Sequence, residues 1–121
     1  MYVDVDFLLA LIKDDDWLGA AAEEVYTEHE GDLWTSRLAL VELLVVAYRR
    51  DRDTERVIAN AASLVEVDGG VETVLTAATY VDEHGFTPFD ALHLVESGAD
   101  PIVSSDGSYE GFTQQIDLRD R

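Results

Sequence analysis

The chain has 121 residues, of which 47% are hydrophobic, and this length and composition suit one domain with its own hydrophobic core. It contains no cysteine, so disulfide bonds and thiolate metal sites are excluded. Its 26 acidic residues against 8 basic ones give a net charge of -18.

The excess of acid indicates adaptation to molar salt, that is, a halophilic source. The acids are spread along the chain, and seven of the eight bases are arginine. In molar salt the Debye length is only about 3 Å, so such a surface repels itself weakly. A basic partner that covers an acidic face is the alternative. Because counterion release contributes little at high salt, the net charge does not exclude nucleic-acid binding.

Neither a signal peptide nor a membrane span is expected. Acids at positions 4 and 6 interrupt the N-terminal apolar segment, and the stretch LALVELLVVAY is broken by Glu42 and too short to cross a bilayer. No internal repeat or linker is visible. We therefore expect a single soluble, cytoplasmic domain over residues 1–121, without membrane association.

Hydrophobic patterning predicts short strands that alternate with helices. The predicted strands are 1–4, 33–36, a short piece within LVEVDGG, DPIVSSD and QQIDLRD. The predicted helices are 6–12, 17–30, 37–50, 53–63, 71–83 and one that begins within GFTPFDALHLVES. This alternation predicts an α/β fold with a parallel sheet covered on both faces.

Two acids follow predicted strands. Asp4 ends the first strand, and Asp106 ends PIVSSD. In open α/β sheets, ligands bind at the carboxyl ends of the strands, which favours a functional role for both side chains. The alternatives are local: Asp4 as the N-cap of the next helix, and Asp106 as a turn residue before Gly107.

Two further acids lie in helices. Glu42 has apolar residues one turn away on both sides, so its carboxylate is expected on a buried face, where it needs a partner such as a cation or an arginine. Asp90 follows Thr87 and Pro88, which places it in the first turn of a helix, where capping is the alternative role. The four carboxylates can converge on one cleft. Oxygen-only ligands select a hard cation, Mg²⁺ or Mn²⁺, which also binds substrate phosphate.

Two protein families that transfer or hydrolyse phosphoryl groups resemble the N-terminal segment of this chain. Asp4 and Asp6 resemble the paired acids of haloacid-dehalogenase-type phosphatases and of response-regulator receiver domains. Both families use a lysine late in the chain to hold the phosphoryl group. The only lysine here is Lys13, directly after the first predicted helix, and this disfavours both families.

Nearly the whole chain resembles PIN domains and, among them, the VapC-like toxins of toxin–antitoxin pairs. Three blocks carry the resemblance: YVDVDFLLALI with Asp4, TSRLALVELLVVAYRR with Ser36 and Glu42, and FTPFDALHLVESGADPIVSSD with Asp90 and Asp106. The chain departs from the family at Val5 and Asp6, where Thr or Ser and then Asn or Ser are common. It also departs after Asp106, where Glu110 is the candidate for a further family acid.

The resemblance implies a three-layer α/β/α sandwich and a Mg²⁺- or Mn²⁺-dependent endoribonuclease that cleaves RNA phosphodiesters with a metal-activated water. Asp4, Asp90 and Asp106 would hold the ion, and Glu42 would hold one of its waters or a second ion. Residues expected to support these acids are Ser104, Ser36, Asp6 and His93. The resemblance further implies a homodimer and a cognate antitoxin that inserts a basic side chain among the acids. A housekeeping RNA-processing nuclease and a non-catalytic PIN-like binding module are the alternatives.

Overall fold

The computed structural model describes residues 1–98 and 100–120, within which six helices alternate with four short strands. The helices are α1 (Val5–Ile12), α2 (Gly19–Glu28), α3 (Arg37–Arg49), α4 (Thr54–Leu64), α5 (Val71–His84) and α6 (Pro88–Ser97). The strands are β1 (Trp34–Ser36), β2 (Glu66–Asp68), β3 (Ile102–Ser104) and β4 (Gln115–Asp117), with single 3₁₀ turns at Gly107–Tyr109 and Leu118–Asp120. The predicted α/β sandwich with parallel strands is confirmed.

The strands form two parallel pairs. In one pair Thr35 of β1 lies opposite Val67 of β2, and in the other Val103 of β3 lies opposite Ile116 of β4. Because the strands of each pair run in the same direction, their carboxyl ends lie at the same edge. Side chains that follow β3 and β4 are therefore brought close together.

The strand predicted over residues 1–4 is shorter than expected. Only Tyr2 forms a bridge, to Trp34, supported by hydrogen bonds from the Trp34 N–H to the Met1 carbonyl (2.9 Å) and from the Val3 N–H to the Trp34 carbonyl (2.8 Å). The reason is that α1 begins at Val5 with Asp4 as its N-cap, which ends the extended segment after three residues. The Thr35 hydroxyl donates to the Val3 carbonyl (2.7 Å), so this short segment is still fixed against β1.

One continuous hydrophobic core joins the helices to the strands. Its largest fully buried side chains come mainly from α3, with contributions from α1, α4 and α5: Leu8, Leu40, Leu43, Leu44, Ile58 and Val74. Burial of each such side chain contributes about 1.5–3 kcal/mol. Within the described residues, no helix has the length and apolar character needed to cross a membrane.

Helices α4 and α5 are joined by a group of polar contacts at the edge of this core, centred on Thr54 and Asp82. Thr54, the first residue of α4, is 1% exposed, and its hydroxyl donates to Oδ1 of Asp82 on α5 (2.7 Å). The same carboxylate accepts the backbone N–H groups of Thr54 (3.2 Å) and Glu55 (3.0 Å). Asp82 thus supplies, from a neighbouring helix, the acceptors that the first turn of α4 requires.

Candidate active site

The segment that follows β3 is fixed by hydrogen bonds from both strands of its pair. The Ser104 hydroxyl accepts the backbone N–H of Asp106 (2.9 Å). From β4, Nε2 of Gln115 donates to the carbonyls of Ser104 (3.0 Å) and Asp106 (2.8 Å). Asp106 is therefore held at the carboxyl edge of the sheet, and the Ser104 hydroxyl is one of the groups that fix it. The role of Ser104 at a metal site stays a prediction.

The Asp106 carboxylate caps the 3₁₀ turn that follows. Its Oδ1 accepts the Ser108 hydroxyl (2.6 Å) and the Ser108 backbone N–H (2.8 Å). These two hydrogen bonds, with a smaller contribution from the charge of Arg119, hold the pKa of Asp106 below its usual value. The turn role considered as an alternative is thus real. It also keeps the carboxylate ionised, as a metal ligand must be.

Asp90 lies close to Asp106 and contacts the hydroxyl of Tyr109. Asp90 lies in the first turn of α6, and the Tyr109 hydroxyl donates to its Oδ1 (3.4 Å). Tyr109 is 4% exposed. Burial raises the pKa of this phenol, and the negative charges of Asp90 and Asp106 raise it further. Tyr109 therefore keeps its proton at neutral pH and remains a hydrogen-bond donor to Asp90.

Asp4 combines a capping role with an exposed carboxylate. Its Oδ1 accepts the backbone N–H of Phe7 (3.4 Å), so the N-cap role considered for it exists. Asp6, in the first turn of α1, is also exposed. Nearby on β1, the Ser36 hydroxyl lies 2.9 Å from the hydroxyl of Tyr2 and forms a hydrogen bond with it. Ser36 therefore contacts a tyrosine rather than an acid.

The expectation that Glu42 points from a buried face of α3 was wrong. Glu42 is exposed, and Leu38, one turn earlier on the same side, is 65% exposed. The residues of α3 that face the core are Ala39, Leu40, Leu43, Leu44 and Ala47. Because the apolar residues around Glu42 lie partly on the surface, its carboxylate needs no cation to offset burial.

Across residues 1–98 and 100–120, no three histidine or acidic side chains lie close enough to share a metal ion. The structure brings Asp90 and Asp106 together and adds neither Asp4 nor Glu42 to them as a third ligand. Two carboxylates still suit Mg²⁺, which keeps several of its waters and is often bound by one or two carboxylates plus substrate phosphate. The donor set at Asp90 and Asp106 therefore fits the implied ion.

Strand β4 ends in a further acid, Asp117, which was not predicted from the sequence as part of the site. Asp117 lies opposite Ser104 in the parallel register, at the edge where Asp106 follows β3. Hydrogen bonds from the side chain and backbone of Arg119 lower the pKa of Asp117 to about 2. Asp117 is thus a permanent carboxylate paired with a guanidinium, whereas Glu110, the acid considered for this region, is exposed near Arg119.

Comparison with known protein families identifies the fold. The family model described as PIN domain matches residues 1–105. The chain belongs to the PIN-domain family. No curated protein and no solved structure matches it significantly. The matched range of the PIN domain contains Asp4, Glu42 and Asp90 and ends directly before Asp106. PIN domains are usually nucleases, so the chain has a nuclease-type fold.

A cavity of about 510 Å³ in this PIN domain is lined by residues of α6 and β3. Tyr109 and Ser104, which contact the two acids, form part of its wall, and exposed His93 of α6 lines it one turn after Asp90. The expected support of the acids by His93 stays a prediction. Asp90 and Asp106 do not line the cavity themselves, but Tyr109, which donates to Asp90, and Ser104, which accepts the backbone N–H of Asp106, do.

Proposed function

We propose that this PIN domain is a Mg²⁺- or Mn²⁺-dependent endoribonuclease and acts as the toxin of a toxin–antitoxin pair. The observation that carries the nuclease proposal is the pair of Asp90 and Asp106, which Tyr109 and Ser108 orient through hydrogen bonds. Tyr109 also lines a cavity of about 510 Å³. Asp90 and Asp106 would hold the ion. When bound, a divalent ion offsets negative charge on a phosphodiester and lowers the pKa of water.

The side chains around the pair have defined tasks in this proposal. Tyr109 donates to Asp90 and fixes the orientation of its carboxylate, while Ser108 and Gln115 fix Asp106. In the hydrolysis, a water oxygen bonds to phosphorus while the bond from phosphorus to a ribose oxygen breaks. The departing ribose oxygen ends as a hydroxyl that carries the proton lost by the water, so atoms and charge balance.

Asp4 and Glu42 are proposed as additional acids of the site. Both carboxylates are exposed, so neither has to lose buried contacts in order to turn toward a bound ion and its RNA. Asp6 and Ser36 would support Asp4 and the end of β1. These assignments are supported by the motif resemblance, and substitution of each acid tests them separately from Asp90 and Asp106.

The toxin role, the homodimer and the halophilic source are further parts of the proposal. The VapC-like motif order supports the toxin role, and a partner's guanidinium could silence the acidic pair through bidentate hydrogen bonds. The charge of -18 supports life in molar salt in the cytoplasm. A non-catalytic PIN module is the second candidate, favoured by the lack of a third acid close to Asp90 and Asp106 among the described residues.

RNA cleavage by carboxylate variants tests the nuclease proposal. Wild type, Asp90→Asn and Asp106→Asn would be incubated with total cellular RNA and Mg²⁺ or Mn²⁺ in molar KCl. Asp15→Asn, an exposed acid between α1 and α2, is the matched control. We expect cleavage by wild type and the control, and a loss of about 100-fold in each of the other variants. Equal cleavage by all four proteins would refute the assignment.

Two measurements separate the remaining candidates. Divalent-metal binding without RNA cleavage would favour a PIN module that binds without catalysis. Growth arrest when wild type is induced in a salt-adapted host, with normal growth on induction of Asp90→Asn, would support the toxin. Active enzyme without growth arrest would favour a housekeeping nuclease. Light scattering in molar KCl measures the mass of the particle and tests the homodimer.

A further inference from the structure

Arg119 lies at the carboxyl edge of β3 and β4, beside the candidate acids but outside the motifs that identify them. The chain leaves β4 at Asp117 and enters the 3₁₀ turn Leu118–Asp120. Oδ1 of Asp117 accepts the backbone N–H of Arg119 (2.9 Å). The guanidinium then folds back onto the same carboxylate: Nε lies 2.9 Å from Oδ1 and 3.1 Å from Oδ2, and Nη2 also donates to Oδ2.

This contact fixes the guanidinium by one edge only. Nε and one N–H of Nη2 point to Asp117, and the planar group carries its remaining donors on Nη1 and on the other side of Nη2. A Cβ placed on Gly107 would lie 3.5 Å from Nη2 and 3.9 Å from Nη1 of Arg119. The guanidinium therefore lies against the residue that directly follows Asp106.

The charge of Arg119 reaches the candidate site. It contributes to the lowered pKa of Asp106, after the larger effect of the hydrogen bonds from Ser108. The guanidinium in turn has its own pKa raised by Asp117 first, and by the charges of Asp120 and Glu110. The chain has a net charge of -18, so most of its surface repels anions. Beside the two acids, the guanidinium of Arg119 is a positive charge in a fixed position that can attract an anion.

The chemistry of a phosphodiester requires such a group. Carboxylates that hold a cation also repel the phosphate that must approach it, and a guanidinium presents parallel N–H donors that match two phosphate oxygens. Asp117 holds the guanidinium of Arg119 in one orientation, so less conformational entropy is lost when an anion binds to it. Arg119 is exposed, so its outer donors are accessible to a ligand.

We propose that Arg119 binds a phosphate of RNA at the Asp90–Asp106 pair, and that Asp117 is the positioning residue that holds its guanidinium. This inference rests on the proposed function, because the pair is assigned there to RNA cleavage. A different role for the same contact is a counter-ion: Arg119 would then neutralise Asp106, compete with the divalent ion and slow the reaction. The two roles predict opposite effects when the guanidinium is removed.

The test compares Arg119→Ala, Arg119→Lys and Asp117→Asn with wild type, and uses Arg56→Ala as the matched control. Arg56 is an exposed arginine on α4 whose backbone N–H, the group that contacts Asp53, is retained in the variant. Two readouts are needed: binding of fluorescein-labelled total RNA with Ca²⁺ replacing Mg²⁺, and cleavage with Mg²⁺. Both use the lowest KCl at which circular dichroism shows every protein folded. Metal affinity is measured by calorimetry without RNA.

We expect Arg119→Ala to weaken RNA binding about tenfold and to lower kcat/KM about 10- to 100-fold, with metal affinity unchanged. Arg119→Lys should recover only part of the loss, because an ammonium lacks the planar fork. Asp117→Asn should act mainly through KM, since it loosens the guanidinium without removing it. Arg56→Ala should resemble wild type.

Unchanged RNA binding and cleavage in Arg119→Ala would overturn the inference and leave the proposed function standing. Tighter metal binding or faster cleavage in that variant would overturn it in favour of the counter-ion. If wild type cleaves no RNA, the proposed function fails, and the binding comparison still decides the inference. Weaker RNA binding by Arg119→Ala would then support phosphate contact, and equal binding would overturn it.

Discussion

The contact between Thr54 and Asp82 predicts a measurable coupling between α4 and α5. Thr54→Val keeps the shape of a side chain that is 1% exposed and removes the hydroxyl that donates to Asp82 at 2.7 Å. Asp82→Ala removes that acceptor and also leaves the first N–H groups of α4 without their partner. The double variant completes a cycle in which the hydroxyl–carboxylate term is isolated.

The magnitudes follow from burial and charge. A hydrogen bond to a charged group contributes about 1.5–3 kcal/mol, and the lower end applies because Asp82 is exposed while Thr54 is buried. We therefore expect Thr54→Val to lower the free energy of unfolding by about 1.5 kcal/mol. Asp82→Ala should lower the free energy of unfolding by about 2 kcal/mol, the upper end of the range for loss of a helix cap. The coupling energy should be about 1 kcal/mol. At about 4 °C per kcal/mol, Thr54→Val should melt about 6 °C lower.

Denaturation followed by circular dichroism in molar KCl measures these changes. Burial raises the pKa of Asp82, but hydrogen bonds from Glu55 and Thr54 outweigh it and leave the pKa below the ordinary value of 3.8. A carboxylate whose pKa is lower in the folded state than in the unfolded state stabilises the fold at any pH above its unfolded-state pKa. The coupling should therefore be complete at neutral pH and fade as the pH falls through the folded-state pKa. A coupling near zero at neutral pH would refute this reasoning.

Three further predictions concern the site and the surface. Tyr109→Phe should lower the metal affinity measured by calorimetry about tenfold. It should lower the free energy of unfolding by less than about 1 kcal/mol, because the hydrogen bond to Asp90 is long. Unchanged metal affinity would contradict the positioning role of Tyr109. Mg²⁺ at ten times its Kd should stabilise wild type by about 1.4 kcal/mol, or about 6 °C, beyond matched KCl. An equal gain in the Asp90→Asn/Asp106→Asn double variant would count against that site. Raising KCl to molar levels should raise the melting temperature of a chain with net charge -18, and a fall would oppose salt adaptation.

The order of elements was predictable because the periodicity of apolar residues is local. Each predicted helix, and each predicted strand after the first, is present within a few residues. The strand predicted over residues 1–4 is reduced to a single bridge at Tyr2, because α1 already begins at Val5. The exposure of Glu42 was not predictable from its neighbours. An apolar neighbour such as Leu38 indicates burial only if another element covers it, and at 65% exposure Leu38 is not covered in this way.

The candidate site was predictable only where a residue's role follows from its own segment. Asp106 comes directly after a strand, and the first-turn position of Asp90 can be inferred from Thr87 and Pro88. Tyr109 and Arg119 carry no such signal. In the sequence alone, Asp117 and Arg119 are an acid and a base two residues apart, which indicates a local ion pair and no functional site. Only the register of β4 against β3 sets that pair beside Asp106, and this register is fixed by strand pairing rather than by local sequence. The residues that complete an acidic site are therefore best sought at the ends of the strands beside it.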